Sequence, residues 1–151
     1  MRILIIEDDV NKLNAISAFL DRYRNISYQH ESSYHSGMRR LLANRYDLLL
    51  LDMSMPVYDV TAQETGGRPL ALAGRDILFQ LRRRKSELKA IIVTQYEDFD
   101  GLSLSELDYD LSQEFPINYL GYVYYNTTQD SWKENLGKFL SQYQTESEEN
   151  A

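Results

Sequence analysis

The sequence predicts an α/β fold, with a single doubly wound parallel sheet of five strands and helices on both faces. Three observations predict it. Short continuous aliphatic runs recur along the chain, at Ile3–Ile6, Leu48–Leu51 and Ala90–Val93; runs this short without polar alternation suit strands buried on both faces. Amphipathic helical patterns separate them, and alternation of strand and helix implies parallel pairing through right-handed crossovers. Finally, 151 residues with 43% hydrophobic content, 3 Pro and 7 Gly suit one domain that buries roughly two-thirds of its unfolded surface.

The elements follow in order. Ile3–Ile6 is a strand ended by Glu7-Asp8-Asp9. From Val10 to Tyr23 the apolar positions Leu13, Ile16, Phe19, Leu20 and Tyr23 make one helix face, with Asp9 as N-cap. Residues 26–30 form a weak strand, and Ser32 or Ser33 caps a helix carrying Met38, Leu41 and Leu42. Asp47–Leu51 is the strongest strand and runs into Asp52. Ile77, Leu78 and Leu81 mark a third helix, whose end at Arg82-Arg83-Arg84-Lys85 suits the helix dipole. Ala90–Val93 is a strand ending in Thr94. Residues 102–115 are helical up to Pro116, with the acidic run Glu97-Asp98-Phe99-Asp100 opening that helix. Tyr119–Tyr124 is the fifth strand. Thr127 or Thr128 caps a last helix bearing Trp132, Leu136, Phe139, Leu140 and Tyr143. The domain covers 1–144, and the polar, acidic tail 145–151 is predicted to be disordered. Residues 57–74 are long for a strand-to-helix loop and fall above the carboxyl ends of the strands, where such sheets bind ligands.

Charge and composition remove several function classes. With 0 Cys and 2 His, disulfide scaffolds, cysteine nucleophiles and multi-histidine metal sites drop out. A net charge of −7 opposes nucleic-acid binding. No run is long enough for a signal peptide or a membrane span, so a cytoplasmic protein with no membrane partner is expected. Phosphate-loop, dinucleotide and serine-elbow motifs are absent.

Three strands instead end in polar residues: Glu7-Asp8-Asp9, Asp52 and Thr94. With the first strand central, these ends converge, and crowded carboxylates need a cation. Oxygen donors in this number suit Mg²⁺, beside a carboxylate able to attack phosphorus.

On these residues the chain resembles the receiver domains of two-component response regulators. The segments that carry the likeness are Arg2-Ile-Leu-Ile-Ile-Glu-Asp-Asp9, Asp47-Leu-Leu-Leu-Leu-Asp-Met-Ser-Met-Pro56 and Ile91-Ile-Val-Thr94. The resemblance implies the flavodoxin-like strand order 2-1-3-4-5. It makes Asp52 the phosphoacceptor, Glu7 and Asp8 the acidic pair at Mg²⁺ (Asp8 the more direct ligand) and Ser54 the donor of a metal-binding backbone carbonyl. Thr94 becomes the switch hydroxyl and Tyr122 the switch aromatic. The implied partners are a histidine kinase or phosphotransfer protein and an output protein, with a homodimer through the fourth helix, fifth strand and fifth helix.

The sequence departs from that pattern in three places. Tyr125 stands where the family has a lysine that pairs with the phosphoryl oxygens. The 57–74 insertion is extra, and the stretch between Thr94 and the fifth strand is lengthened. A phenol brings no positive charge. Arg68 or Arg75 could replace the lost charge, but both read better as solvated residues. The expected function is therefore a stand-alone receiver phosphorylated on Asp52 that signals by protein contact and is not an enzyme beyond its own phosphorylation and dephosphorylation. The alternatives are a pseudo-receiver that docks a partner without phosphorylation, and a small Mg²⁺-dependent hydrolase.

Overall fold

The computed structural model describes residues 1–60, 69–70, 72–99 and 101–149. Five strands form one parallel sheet: β1 (Arg2–Ile6), β2 (Ser27–Glu31), β3 (Leu48–Leu51), β4 (Lys89–Thr94) and β5 (Tyr119–Tyr124). Their order is β2-β1-β3-β4-β5, as the resemblance implied. The helices are α1 (Val10–Leu20), α2 (Tyr34–Ala43), α3 (Ala73–Arg83), α4 (Leu104–Glu114) and α5 (Ser131–Glu149). None of them is long and apolar enough to cross a membrane.

Alternate residues of the aliphatic strands feed two cores. Ile3, Ile5, Leu48 and Leu50 pack with Ile16 and Leu20 of α1 and Trp132, Leu136 and Leu140 of α5. Leu4, Ile6, Leu49 and Leu51 pack with Ile77 and Leu78 of α3 and Leu107 and Leu111 of α4, and Met38 and Leu41 of α2 lie against them. Burying both strand faces explains why these strands carry no polar alternation.

Several local expectations hold. Asp9 caps α1, its Oδ1 accepting the Lys12 backbone N–H at 3.1 Å. Ser33 caps α2 in a reciprocal box with Ser36. The basic run closes α3, with Arg84 as C-cap and Lys85 at φ 57°.

Others are corrected. Glu97-Asp98-Phe99 does not open a helix. Asp98–Phe99 pairs antiparallel with Leu102–Ser103 in a tight hairpin, and Asp98 accepts the Gly101 N–H at 3.0 Å; Asp100 lies outside the described residues. Ser103 instead caps α4. Its Oγ accepts the Glu106 N–H at 3.2 Å, and Glu106 accepts the Ser103 N–H at 3.1 Å. Ser103→Ala should therefore cost about 1 kcal/mol in urea denaturation. Neither Thr127 nor Thr128 caps α5, which starts at Ser131; the Asn126 side chain holds the turn by accepting the Thr128 N–H and hydroxyl. The α5 backbone continues through Glu149, into the segment expected to be a tail.

At the base of the 57–74 insertion, Met55–Pro56 pairs antiparallel with Pro69–Leu70. Val57 accepts the His35 N–H at 2.8 Å and Asp59 accepts the Ser32 hydroxyl at 3.2 Å, so the outgoing limb lies on the start of α2. Residues 61–68, Arg68 among them, and 71 lie outside the described residues.

Candidate functional site

The carboxyl ends of β1, β3 and β4 meet as expected. Backbone hydrogen bonds set the level: Asp52 N donates to Ile6 O at 3.1 Å, and Tyr125 N donates to Thr94 O at 2.7 Å. Glu7, Asp8 and Asp52 each present a carboxylate oxygen, all within 4.8 Å of one another. Glu7 and Asp52 are buried and Asp8 is exposed, so the cluster has a closed floor and an open mouth. These are hard oxygen donors in the number that suits Mg²⁺ with waters completing its shell. Ser54 lies in the bend just after Asp52.

The floor holds a residue that the helix pattern did not single out. Lys12, in the first turn of α1, is 1% exposed. Its Nζ donates to Val93 O at 2.6 Å and pairs with Glu7 Oε2 at 2.7 Å and Asp52 Oδ2 at 3.2 Å. Three donors thus meet three acceptors, the condition under which a buried ammonium is tolerated. A signal was present in the sequence. Lys12 sits four residues before Ile16 and eight before Leu20, on the face that packs into the core.

Electrostatics follow from burial. Glu7 is pushed up from 4.5 to about 7, chiefly by desolvation, with Asp52 adding to the rise and Lys12 opposing it. Asp52 is also raised, again mainly by desolvation, against Lys12 and the Met53 N–H, which donates to Asp52 Oδ1 at 2.7 Å. Three carboxylates against one ammonium leave a formal −2, which a divalent cation would offset.

The other expected residues take these places. Thr94 is fully buried at the end of β4, and its Oγ1 accepts the Tyr96 N–H at 3.2 Å. Tyr122 is half-buried on β5, packed against the core that holds Phe115. Tyr125 is buried, its ring 5.2 Å from that of Trp132 and its centroid 6.0 Å from Lys12 Nζ. Arg75 is not at the site: its guanidinium pairs with Glu114 at 2.7 Å, half exposed.

Comparison with known proteins agrees with this geometry. Residues 3–108 match the family described as the response regulator receiver domain. The Detocs response regulatory protein DtcB of Enterobacter cloacae is 28% identical over 149 residues, covering 94% of this chain and 99% of that protein. The uncharacterized protein y4jR of Sinorhizobium fredii is 27% identical over 141 residues, covering 88% and 92%. Solved receiver structures share the fold. The response regulator TrrA of Thermotoga maritima, solved in complex with Mg²⁺-BeF, aligns with TM-score 0.62 at 23% identity, over 91% of this chain and 96% of that one. A signal receiver domain of an HD domain-containing protein from Pseudomonas fluorescens aligns with TM-score 0.69 at 15% identity, over 98% and 97%. The match to the family spans more than half of the sequence and includes Glu7, Asp8, Asp52 and Thr94, so this chain belongs to the response regulator receiver domain family.

Proposed function

We propose that the protein accepts a phosphoryl group on Asp52 in two-component signalling, from a histidine kinase or phosphotransfer protein. The observation that carries this is the convergence of Asp52 with Glu7 and Asp8, their oxygens within 4.8 Å of one another, at the carboxyl edge of the sheet. Mg²⁺ would be held by Glu7, Asp8, Asp52 and the Ser54 backbone carbonyl, with exposed Asp8 facing solvent. When bound, it supplies charge neutralisation for the transferring phosphoryl oxygens.

The chain's own residues do the rest. A carboxylate oxygen of Asp52 forms the new P–O bond. The P–N bond of a phosphohistidine donor breaks, its electron pair staying on the imidazole, which takes up a proton. The Met53 N–H, bonded to Asp52 Oδ1 at 2.7 Å, orients the carboxylate for attack. The Thr94 hydroxyl donates to a phosphoryl oxygen, giving up its present bond from Tyr96, and Tyr122 turns with it. Reporting the phosphoryl group through a hydroxyl and an aromatic on neighbouring strands is a local electrostatic change with a wider readout. Output runs through protein contact at the face of α4, β5 and α5, where Tyr109 is 65% exposed; the same face would serve self-pairing. Modification is stoichiometric, without turnover of many substrates. The likeness to a response regulatory protein over nearly the full length of both chains supports a regulatory role over a hydrolytic one.

The test is intact mass after incubation with Mg²⁺ and acetyl phosphate. One phosphoryl adduct is expected on the wild type and none on Asp52→Ala. A wild type that takes no phosphoryl from acetyl phosphate or from a phosphohistidine donor overturns the proposal and leaves a module that docks its partner unmodified.

A further inference from the structure

We propose that Lys12 supplies the cationic contact to the phosphoryl group on Asp52, so that α1 provides the charge that Tyr125 at the end of β5 does not. This rests on Asp52 being the phosphoacceptor.

Three observations carry it. The first is position. Lys12 Nζ already touches Asp52 Oδ2 at 3.2 Å, from inside the protein, while exposed Asp8 lies on the solvent side. The second is anchoring. Val93 O holds the ammonium at 2.6 Å whatever happens at Asp52, and the Asp9 cap fixes the turn that carries it, through the Lys12 backbone N–H. A group held at both its backbone and its tip needs little reorganisation to act. The third is the fate of position 125. Tyr125 packs its ring on Trp132 and lies within 6.0 Å of the ammonium, so it fills space at the site without bringing charge.

Charge flow makes Lys12 more than a structural counter-ion. As the P–O bond forms at Asp52 and the donor's bond to phosphorus breaks, the carboxylate loses its charge to the ester and the phosphoryl oxygens carry the excess. The hydrogen that Lys12 now gives to Asp52 Oδ2 then finds its strongest acceptor in a phosphoryl oxygen. Its bonds to Val93 and Glu7 stay in place. The interaction strengthens as charge moves from the carboxylate onto the phosphoryl oxygens during the transfer, and a group whose interaction grows on the way to the transition state speeds the step.

The experiment compares wild type, Lys12→Met, Tyr125→Lys and the double variant Lys12→Met/Tyr125→Lys. It reads the rate of phosphoryl incorporation from acetyl phosphate by intact mass, Mg²⁺ affinity by calorimetry, and folding by circular dichroism. Lys12→Met is expected to slow incorporation by roughly 10-fold or more, with Mg²⁺ bound at least as tightly because a competing cation has gone. The double variant should recover most of the rate. Lys12→Met that folds and is modified at the wild-type rate overturns the proposal. A slow single variant that the double does not rescue also overturns it, because then Lys12 acts only by shaping the site. If Lys12→Met fails to fold, Tyr125→Lys alone decides. A site that already has its cation gains less than about twofold, whereas a gain of roughly 10-fold shows that it lacked one. A wild type that takes no phosphoryl overturns the phosphoacceptor reading itself, an outcome distinct from all of these.

Discussion

In metal-free buffer the protein should become less stable as pH rises from about 4.5 to about 7. Glu7 sets that window. Burial pushes its carboxyl from 4.5 up to about 7, so the folded state keeps the Glu7 proton over a range where the unfolded chain has released it. A folded state that binds more protons loses stability with rising pH. The penalty is absent below the unfolded value, grows through the window and is complete above about 7, where it is of the order of 3 kcal/mol. Asp52, also raised by burial, adds a contribution of the same sign that begins lower. Urea denaturation of wild type and Glu7→Gln isolates the effect. Gln keeps an oxygen that can accept from Lys12 and carries no charge. The two proteins should match near pH 4, and Glu7→Gln should be the more stable by pH 7.5. Parallel curves would show that Glu7 ionises freely in the folded protein. Saturating Mg²⁺ should shrink the difference, because a dication relieves the repulsion between Glu7 and Asp52.

Gly74→Val should destabilise the protein by about 3 kcal/mol, lowering Tm by roughly 6–12 °C for a chain of this size. Gly74 lies in the first turn of α3, and its N–H donates to Met53 O at 2.9 Å. A Cβ built there would stand 2.9 Å from the backbone oxygen of Asp52, 2.9 Å from Leu51 Cδ1 and 3.1 Å from the Met53 Cα. Two of these neighbours are backbone at the exit of the central strand β3, which cannot swing aside as a side-chain end can. Either α3 lifts away from the sheet, or the segment carrying Asp52 shifts. The modest helix-propensity gain over glycine does not offset either. Thermal melting should fall, together with the phosphorylation proposed for Asp52. A variant as stable as the wild type would mean that α3 can retreat without cost.

Local patterns carry much of this site. Leu48–Leu51 followed by Asp52 identifies a buried strand and its acidic end because both features are contiguous in the chain. Glu7 and Asp8 follow β1 in the same way. Lys12 escapes because helical periodicity rests on apolar positions alone: Leu13, Ile16, Phe19, Leu20 and Tyr23 mark the face, and a lysine on it counts as a gap. What makes Lys12 a core residue is three acceptors on other segments, one of them the Val93 carbonyl 81 residues away. Glu7 is near in the chain, but Asp52 and Val93 lie outside any local window around position 12. Tyr125 shows the same limit from the other side. Taken alone, it removes a charge, while beside Lys12 it is packing for one. The hairpin at 98–103 and the pairing of Met55–Pro56 with Pro69–Leu70 are two-residue ladders, too short to leave a periodic signature.

That last pairing has an architectural consequence. The excursion after β3 leaves and returns through one clasp, and Val57 and Asp59 tie the outgoing limb to α2. The clasp and this tie therefore brace the exit of β3 from two sides, and the segment that carries Asp52 is held between a strand pair and a helix start rather than hanging from the sheet edge alone.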